Sequence, residues 1–383
     1  MSAVQPDPGI ASQAAEIAAR AESELAQLVD ISSPSGDVPA AEAALELCAS
    51  LLPPGAEIER PQCSTPGSAP DLIATVAGTG RRRVLLLGHV DTVIGHDAHQ
   101  PLRDEGERLY GTGTADMKGG DILALGVARS LAQRPQDFAE LAVLLVTDEE
   151  WRVAPFVHAR RFTGYDACLC FEAGQLTPEA DEAVVVKRKA AGTLRVLATG
   201  RASHSGSAPE RGRNALLALA RTADAVAALH DPAGPDQLSA VPTVMRSGDA
   251  FNVVPAAGEL IFDLRSRRLE AFDEVMAAVA PELDEVTLEA RMERKWPAMD
   301  SRAATAGLLA DASARLGRPV IGAARGGASD ASHFANTIAL TVDGLGPRGG
   351  GAHTPEEFVL RAALRGRAEV ALAVARAALA PPA

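Results

Sequence analysis

Two histidines and several carboxylates stand at the ends of apolar runs along this chain of 383 residues. His89 closes Val84-Leu85-Leu86-Leu87-Gly88, with Asp91 two residues on. Asp116 stands in Ala115-Asp116-Met117-Lys118-Gly119-Gly120, and Glu149-Glu150 follow the apolar stretch 141–146. Glu172 follows Cys168-Leu169-Cys170-Phe171, and His353 follows the glycine-rich Gly346-Pro347-Arg348-Gly349-Gly350-Gly351. Nitrogen and oxygen donors without thiolate suit a pair of hydrolytic zinc ions that share one carboxylate. The arrangement places His89 and Glu172 on one ion, Glu150 and His353 on the other, and Asp116 between them. Cobalt or manganese suits the same donors.

Each residue has an ordinary reading when taken singly. His89-Val90-Asp91 can be a polar loop after a strand, Asp116 a helix N-cap, Asp148-Glu149-Glu150 a solvated acidic turn, and His353 a surface histidine. Together they point to metal. Adjacent carboxylates beyond a strand point in different directions, so Glu150 can bind metal while Glu149 faces water as general base. Asp91 can accept from the imidazole nitrogen of His89 that metal does not use, or steady the loop. Glu172 ends a run too apolar for a lone charge, and a cation supplies the missing partner.

The elements that must position these groups follow from periodicity. Helices are expected over 14–30, 40–52 and 118–131, the first preceded by an irregular stretch with Pro6, Pro8 and Gly9. Short buried strands are expected over 84–87, 141–146, 166–171 and 337–342. Strands alternating with helices, each strand almost wholly apolar, predict an α/β layer with a largely parallel sheet and its site beyond the strand C-termini. Strands over 193–199, 241–246, 259–267 and 286–292, with helices over 214–230 and 270–283, give the order β-α-β-β-α-β of a ferredoxin-like domain. It reads as an insertion at 191–301, within a catalytic metal-binding domain made from 1–190 and 302–383.

Hydrophobic residues at 47% allow two sizeable cores, and aromatics at only 3% leave those cores to Ala, Leu and Val. A formal charge of −13 argues against nucleic acid or an anionic membrane as partner. Cys48, Cys63, Cys168 and Cys170 form no disulfide framework. Cys168 and Cys170 share one face of a strand, as two buried thiols rather than a metal pair. Residues 1–11 show no signal pattern and no run is long enough to span a membrane, so the expected location is the cytoplasm.

With these motifs in hand, the sequence resembles the di-zinc metallopeptidase and deacylase family of glutamate carboxypeptidase, acetylornithine deacetylase, succinyl-diaminopimelate desuccinylase and aminoacylase. The carriers are residues 88–93, 113–120, Asp148-Glu149-Glu150, Glu172, Ala202-Ser203-His204-Ser205-Gly206, Asn252-Val253-Val254-Pro255, 326–330 and 349–357. The resemblance implies two zinc ions per subunit on His89, Asp116, Glu150, Glu172 and His353, with Glu149 as base. It implies that the inserted domain is a lid and dimerisation domain. There, His204 reaches a neighbouring subunit's site to stabilise the oxyanion, and Asn252 and Arg265 help hold the substrate. A homodimer follows. Arg265 suits a substrate carboxylate, whereas Arg188 and Lys189 read as a solvated charge cluster.

Two departures stand out. Relatives commonly place a small Gly-Ser pair shortly after Glu150, where this chain has Trp151-Arg152-Val153-Ala154-Pro155. Their Arg-Lys-Gly at the first hinge is here Arg188-Lys189-Ala190. The expected activity is hydrolysis of a peptide or N-acyl amino acid with a free carboxylate. A narrower deacetylase or desuccinylase is the alternative, and a non-catalytic metal-binding protein a further one. A two-metal phosphoesterase lacks a phosphate-binding pattern.

Overall fold

The computed structural model describes residues 6–381; residues 1–5, part of the stretch expected to carry no signal, lie outside the described residues. The chain forms two compact units, a larger one up to Lys187 with Met299–Arg325 and from Ser329 onward, and a smaller one of Arg188–Ala298 with Gly326–Ala328. The larger begins with α1 (Pro8–Asp30), α2 (Val38–Ser50), β1 (Glu57–Glu59), β2 (Leu72–Ala77), β3 (Arg83–His89), α3 (Gly119–Ala132), β4 (Glu140–Val146) and β5 (Ala167–Cys170). The smaller contains β6 (Ala190–Thr199), α4 (Ala215–Ala227), β7 (Ser239–Ser247), β8 (Ala257–Ser266), α5 (Ala271–Ala277) and β9 (Val286–Trp296). The larger resumes with α6 (Arg302–Leu316), β10 (Leu340–Val342) and α7 (Arg361–Leu379).

The main sheet has the order β1-β2-β4-β3-β5-β10. Strands β4, β3, β5 and β10 run parallel, while β2 is antiparallel to β4 and β1 to β2. The mostly parallel α/β sheet flanked by helices is therefore as expected. In β3 and β4 every residue after the first is buried, which is why both read as unbroken apolar runs. Helix α3 packs on β3 and β4, and the alanine-rich α7 packs against α1 and α6. Ala, Leu and Val dominate this core.

The smaller unit's sheet runs β7-β8-β6-β9, all neighbours antiparallel, and α4 and α5 pack on it. Its β-α-β-β-α-β order is ferredoxin-like. Its own core includes Leu194, Leu219, Phe262, Phe272 and Leu288.

Four local expectations need correction. Helix α1 starts at Pro8, not near Ala14: Asp7 caps it by accepting from Gly9 N at 3.0 Å, and proline is suited to the first helical position. Helix α5 stops at Ala277 because Glu282 and Leu283 turn back to pair with Val286 and Thr287. The strand expected over 337–342 shortens to β10, the N–H groups of Thr337 and Ile338 being taken by the Phe334 carbonyl. Arg188 is buried rather than solvated, donating to the Gly327 carbonyl at 2.7 Å. The four cysteines are free and buried, with Cys168 and Cys170 in one apolar cluster. No described helix is long and apolar enough to cross a membrane.

Candidate metal centre

His89 is the last residue of β3, so the strand delivers its ring to the C-terminal edge of the sheet. The ring is 1% exposed. Its Nδ1 lies 3.1 Å from the Asp91 carbonyl and 3.3 Å from Asp91 Oδ1. Those acceptors suit a proton on Nδ1, the tautomer in which Nε2 would offer its lone pair to a cation. Asp91 itself accepts from Ser35 Oγ at 2.6 Å and from the backbone N–H groups of Glu149 and Glu150, each at 3.1 Å. One buried carboxylate thus fixes both the imidazole and the acidic turn.

Asp116 does not cap α3; its backbone is non-helical, the Asp116–Met117 peptide is cis, and the helix begins after Lys118. Its two oxygens face different imidazoles, Oδ1 at 3.2 Å from His89 Nε2 and Oδ2 at 3.1 Å from His353 Nε2. The approach loop is held by Glu357, whose carboxylate accepts from Gly113 N, Ala115 N and Asp116 N at 2.8, 2.8 and 2.9 Å. Gly113 turns the loop at φ +79°, a conformation glycine adopts without penalty. A Cβ on Gly120 would sit 1.8 Å from the Phe171 carbonyl oxygen, so only glycine lets α3 pass this close to the Glu172 segment.

Glu150 Oε1 lies 3.1 Å from His353 Nε2, and Glu172 Oε1 lies 3.7 Å from His89 Nε2. His353 sits at φ +66°, sparsely populated for a residue with a side chain and a form of strain that gathers at functional sites. The donor atoms form three trios, each within 4.8 Å: His89, Asp116 and Glu172; Asp116, Glu150 and His353; and His89, Glu149 and Glu150. The larger unit thus brings together all six of these side chains and Asp91. Ser35 and Glu357 escaped the sequence reading. Glu357 lies in the 349–357 motif, but no local signal ties it to backbone some 240 residues earlier.

The electrostatics show what charge the cluster favours. Burial pulls the His89 imidazolium down, yet Asp116, Asp91 and Glu149 outweigh it and hold the group well above its usual range. Hydrogen bonds to Asp116 and then Glu150 lift His353 to about 10. Burial pushes the Glu149 carboxyl well up, aided by Glu150 and opposed by His89. Burial likewise raises Glu150. Four carboxylates this close disfavour one another's charge unless positive charge lies among them. The donor set, two imidazoles and several carboxylates with Asp116 standing between the imidazoles, fits divalent cations of the zinc, cobalt or manganese type.

His204, Asn252 and Arg265 belong to the smaller unit. A two-stranded ribbon pairs His204 with Val253, and Ser205 N donates to the Asn252 carbonyl at 3.0 Å, so the first two share one exposed feature. His204 Nδ1 accepts from Gly206 N and Ser207 N at 3.1 and 3.2 Å. A nitrogen that accepts carries no proton, so Nε2–H is the free donor of the neutral ring. Arg265 forks onto the carboxylate of Asp263 at 3.0 and 2.9 Å.

Residues 85–377 match the model of peptidase family M20/M25/M40, and the chain belongs to that family. Its members are metal-dependent hydrolases of amide bonds. The chain is 29% identical to carboxypeptidase G2 of Pseudomonas sp. (strain RS-16) over 352 residues, 88% of this chain and 83% of that protein. It is 28% identical to the succinyl-diaminopimelate desuccinylase of Halorhodospira halophila over 329 residues, 79% of this chain and 85% of that one. Among solved structures, a tripeptidase from Staphylococcus aureus shares the fold at a TM-score of 0.74 and 19% identity, covering 94% of this chain and 98% of that one. The M20 family metallo-carboxypeptidase Sso-CP2 from Sulfolobus solfataricus gives 0.68 at 15%, covering 94% and 99%.

Proposed function

We propose that this chain is a two-metal amide hydrolase acting on a peptide or N-acyl amino acid with a free carboxylate. The observation that carries the reading is the pair of donor trios joined through Asp116, with Glu149 beside them. His89, Asp116 and Glu172 would hold one cation, and Asp116, Glu150 and His353 the other, zinc being favoured by the donor types. Such a pair supplies an acidified water and polarises the amide carbonyl. Glu149, its backbone fixed by Asp91, takes the proton from the attacking water and delivers it to the departing amine. Asp91 positions His89 and does not touch the substrate.

The ferredoxin-like unit is the lid and dimerisation domain in this reading. His204 offers Nε2–H to the oxyanion, in the partner's site of a homodimer, while Asn252 and Arg265 hold the substrate. Exposed Leu216, Leu217, Val241 and Met245 on α4 and β7 support a dimer surface on this unit. Four free thiols support a reducing compartment, the cytoplasm. The names of the relatives, a carboxypeptidase and a desuccinylase, support an amide substrate and keep a narrow N-acyl deacylase as the second reading.

The test is a mass-resolved mixture of N-acyl amino acids and dipeptides, incubated with metal-loaded protein and with Glu149→Gln. The parent should cleave a subset, and the variant should lose about 10²–10⁴-fold in rate. Equal cleavage by both would remove Glu149 from the chemistry, and none by a parent holding two metals would reject these substrates.

A further inference from the structure

The segment that departs from the family pattern has its own internal construction. Trp151 is 61% exposed, Arg152 is fully buried, and Val153 is 58% exposed. The chain has only two tryptophans, and the other, Trp296 in the smaller unit, is 2% exposed. An indole in water next to a cluster of ionisable groups is therefore an exception in this protein.

The backbone beneath it is anchored at both ends. Arg152 Nε donates to Asp148 Oδ1 at 2.9 Å, and its two terminal nitrogens fork onto Asp330, one at 2.9 Å. Its guanidinium also lies 4.7 Å from the centre of the Phe156 ring. Asp148 Oδ2 accepts from Thr65 N at 2.7 Å. Between Asp148 and Arg152 lie only Glu149, Glu150 and Trp151, and Asp91 takes the N–H groups of the first two. A buried arginine with paired carboxylates is a costly device to keep beside a flexible turn, and here it ties the chain on both sides of residues 149–151. The side chains on either side of it, Trp151 and Val153, consequently face water.

We propose that Trp151 is a specificity-determining contact of the site, an exposed apolar platform on an anchored turn, on which an aromatic group of the substrate stacks. The inference rests on the hydrolase reading of the same centre. Successive Cα atoms lie about 3.8 Å apart, so the indole springs from the residue next to Glu150. Aromatic pairs gain from stacking as well as from area removed from water, and a platform on an anchored backbone has less freedom to lose when it binds. The Arg152–Asp330 pair is what supplies that anchorage; it acts on the substrate only through Trp151.

The test compares N-benzoylglycine and N-acetylphenylalanine with N-acetylglycine, using the full-length, metal-loaded protein. Trp151→Ala should lower the kcat/KM ratio of the preferred aromatic substrate over N-acetylglycine by about tenfold, chiefly through KM, and Trp151→Phe should restore most of it. A ratio unmoved by Trp151→Ala overturns the proposal. Binding is read independently of turnover from tryptophan emission. Titration with N-benzoylglycine should quench the parent saturably and leave Trp151→Phe, which retains only Trp296, unquenched. Quenching without cleavage would sink the hydrolase reading for these compounds while upholding the platform. Absence of quenching together with an unmoved ratio would sink the platform.

Discussion

In the larger unit His89, Asp91, Glu149 and Glu172 are buried and braced from several directions, with His353 the exposed exception, whereas in the smaller unit His204 and Asn252 stand in water on a short ribbon. His89 and Asp91 are each 1% exposed, and Asp91 alone engages Ser35, His89 and two backbone N–H groups. His204 and Asn252 are both exposed and lean only on neighbours in their own strands and turn. Buried ionisable groups persist only where partners compensate their lost hydration, so the first region is shaped before any ligand arrives. The second has no such constraint, and its residues gain their role from what they meet. Changes in the two regions should therefore fail in different ways.

Apart from loss of Glu149 itself, the largest effect is expected from the exposed region. His204→Ala should reduce kcat by about 10²–10³-fold, the scale of one lost oxyanion donor, with metal content by elemental analysis unchanged. Metal lost together with activity would erase the distinction drawn between the regions. Asp91→Asn addresses the braced region instead. It keeps the shape but weakens the acceptor that orients His89, and metal affinity measured against a chelator should fall about 10–100-fold. Unchanged affinity would mean the brace is dispensable.

The smallest effect should come far from both, at the start of α1. Burial works to raise the Asp7 carboxyl, but the hydrogen bond and charge of Arg376 hold it below the ordinary 3.8. A folded-state pKa below the unfolded one stabilises the protein above the unfolded value and ceases to do so as pH falls through the folded one. Asp7→Asn should therefore cost about 0.5 kcal/mol at neutral pH for this partly exposed pair at the edge of the fold. The gap in Tm between parent and variant should close in acid, below the ordinary carboxylate range. A gap that persisted there would assign the effect to the helix cap rather than to charge.

What could be read from the sequence follows how local each signal is. Strands β3, β4 and β5 declared themselves because a sheet buried on both faces demands uninterrupted apolar residues. The donors at their ends stood out because they interrupt those runs. The start of α1 was hidden because Pro6, Pro8 and Gly9 read as irregular until Asp7 is seen to cap the first turn. The end of α5 was hidden because Ala-rich helix continues in pattern into residues that a hairpin claims. Arg188 looked like a surface charge because only the fold brings the Gly327 carbonyl to it. Ser35, Glu357 and Asp330 act across 56, 241 and 178 residues of chain, and such partners leave no periodic trace.

The grip of Glu357 on Gly113, Ala115 and Asp116 also sets an order of events during synthesis. Asp116 leaves the ribosome 241 residues before the carboxylate that shapes its loop. At about 5–20 residues per second the delay is roughly 10–50 s. Throughout that interval the nascent chain presents His89 without His353, and the Gly113–Asp116 backbone keeps three N–H groups in water. Cations met then find half a site with an unformed bridge. In the two-metal reading, metal acquisition would accordingly be a late step, awaiting both His353 and the glutamate that shapes the bridge's loop through its backbone.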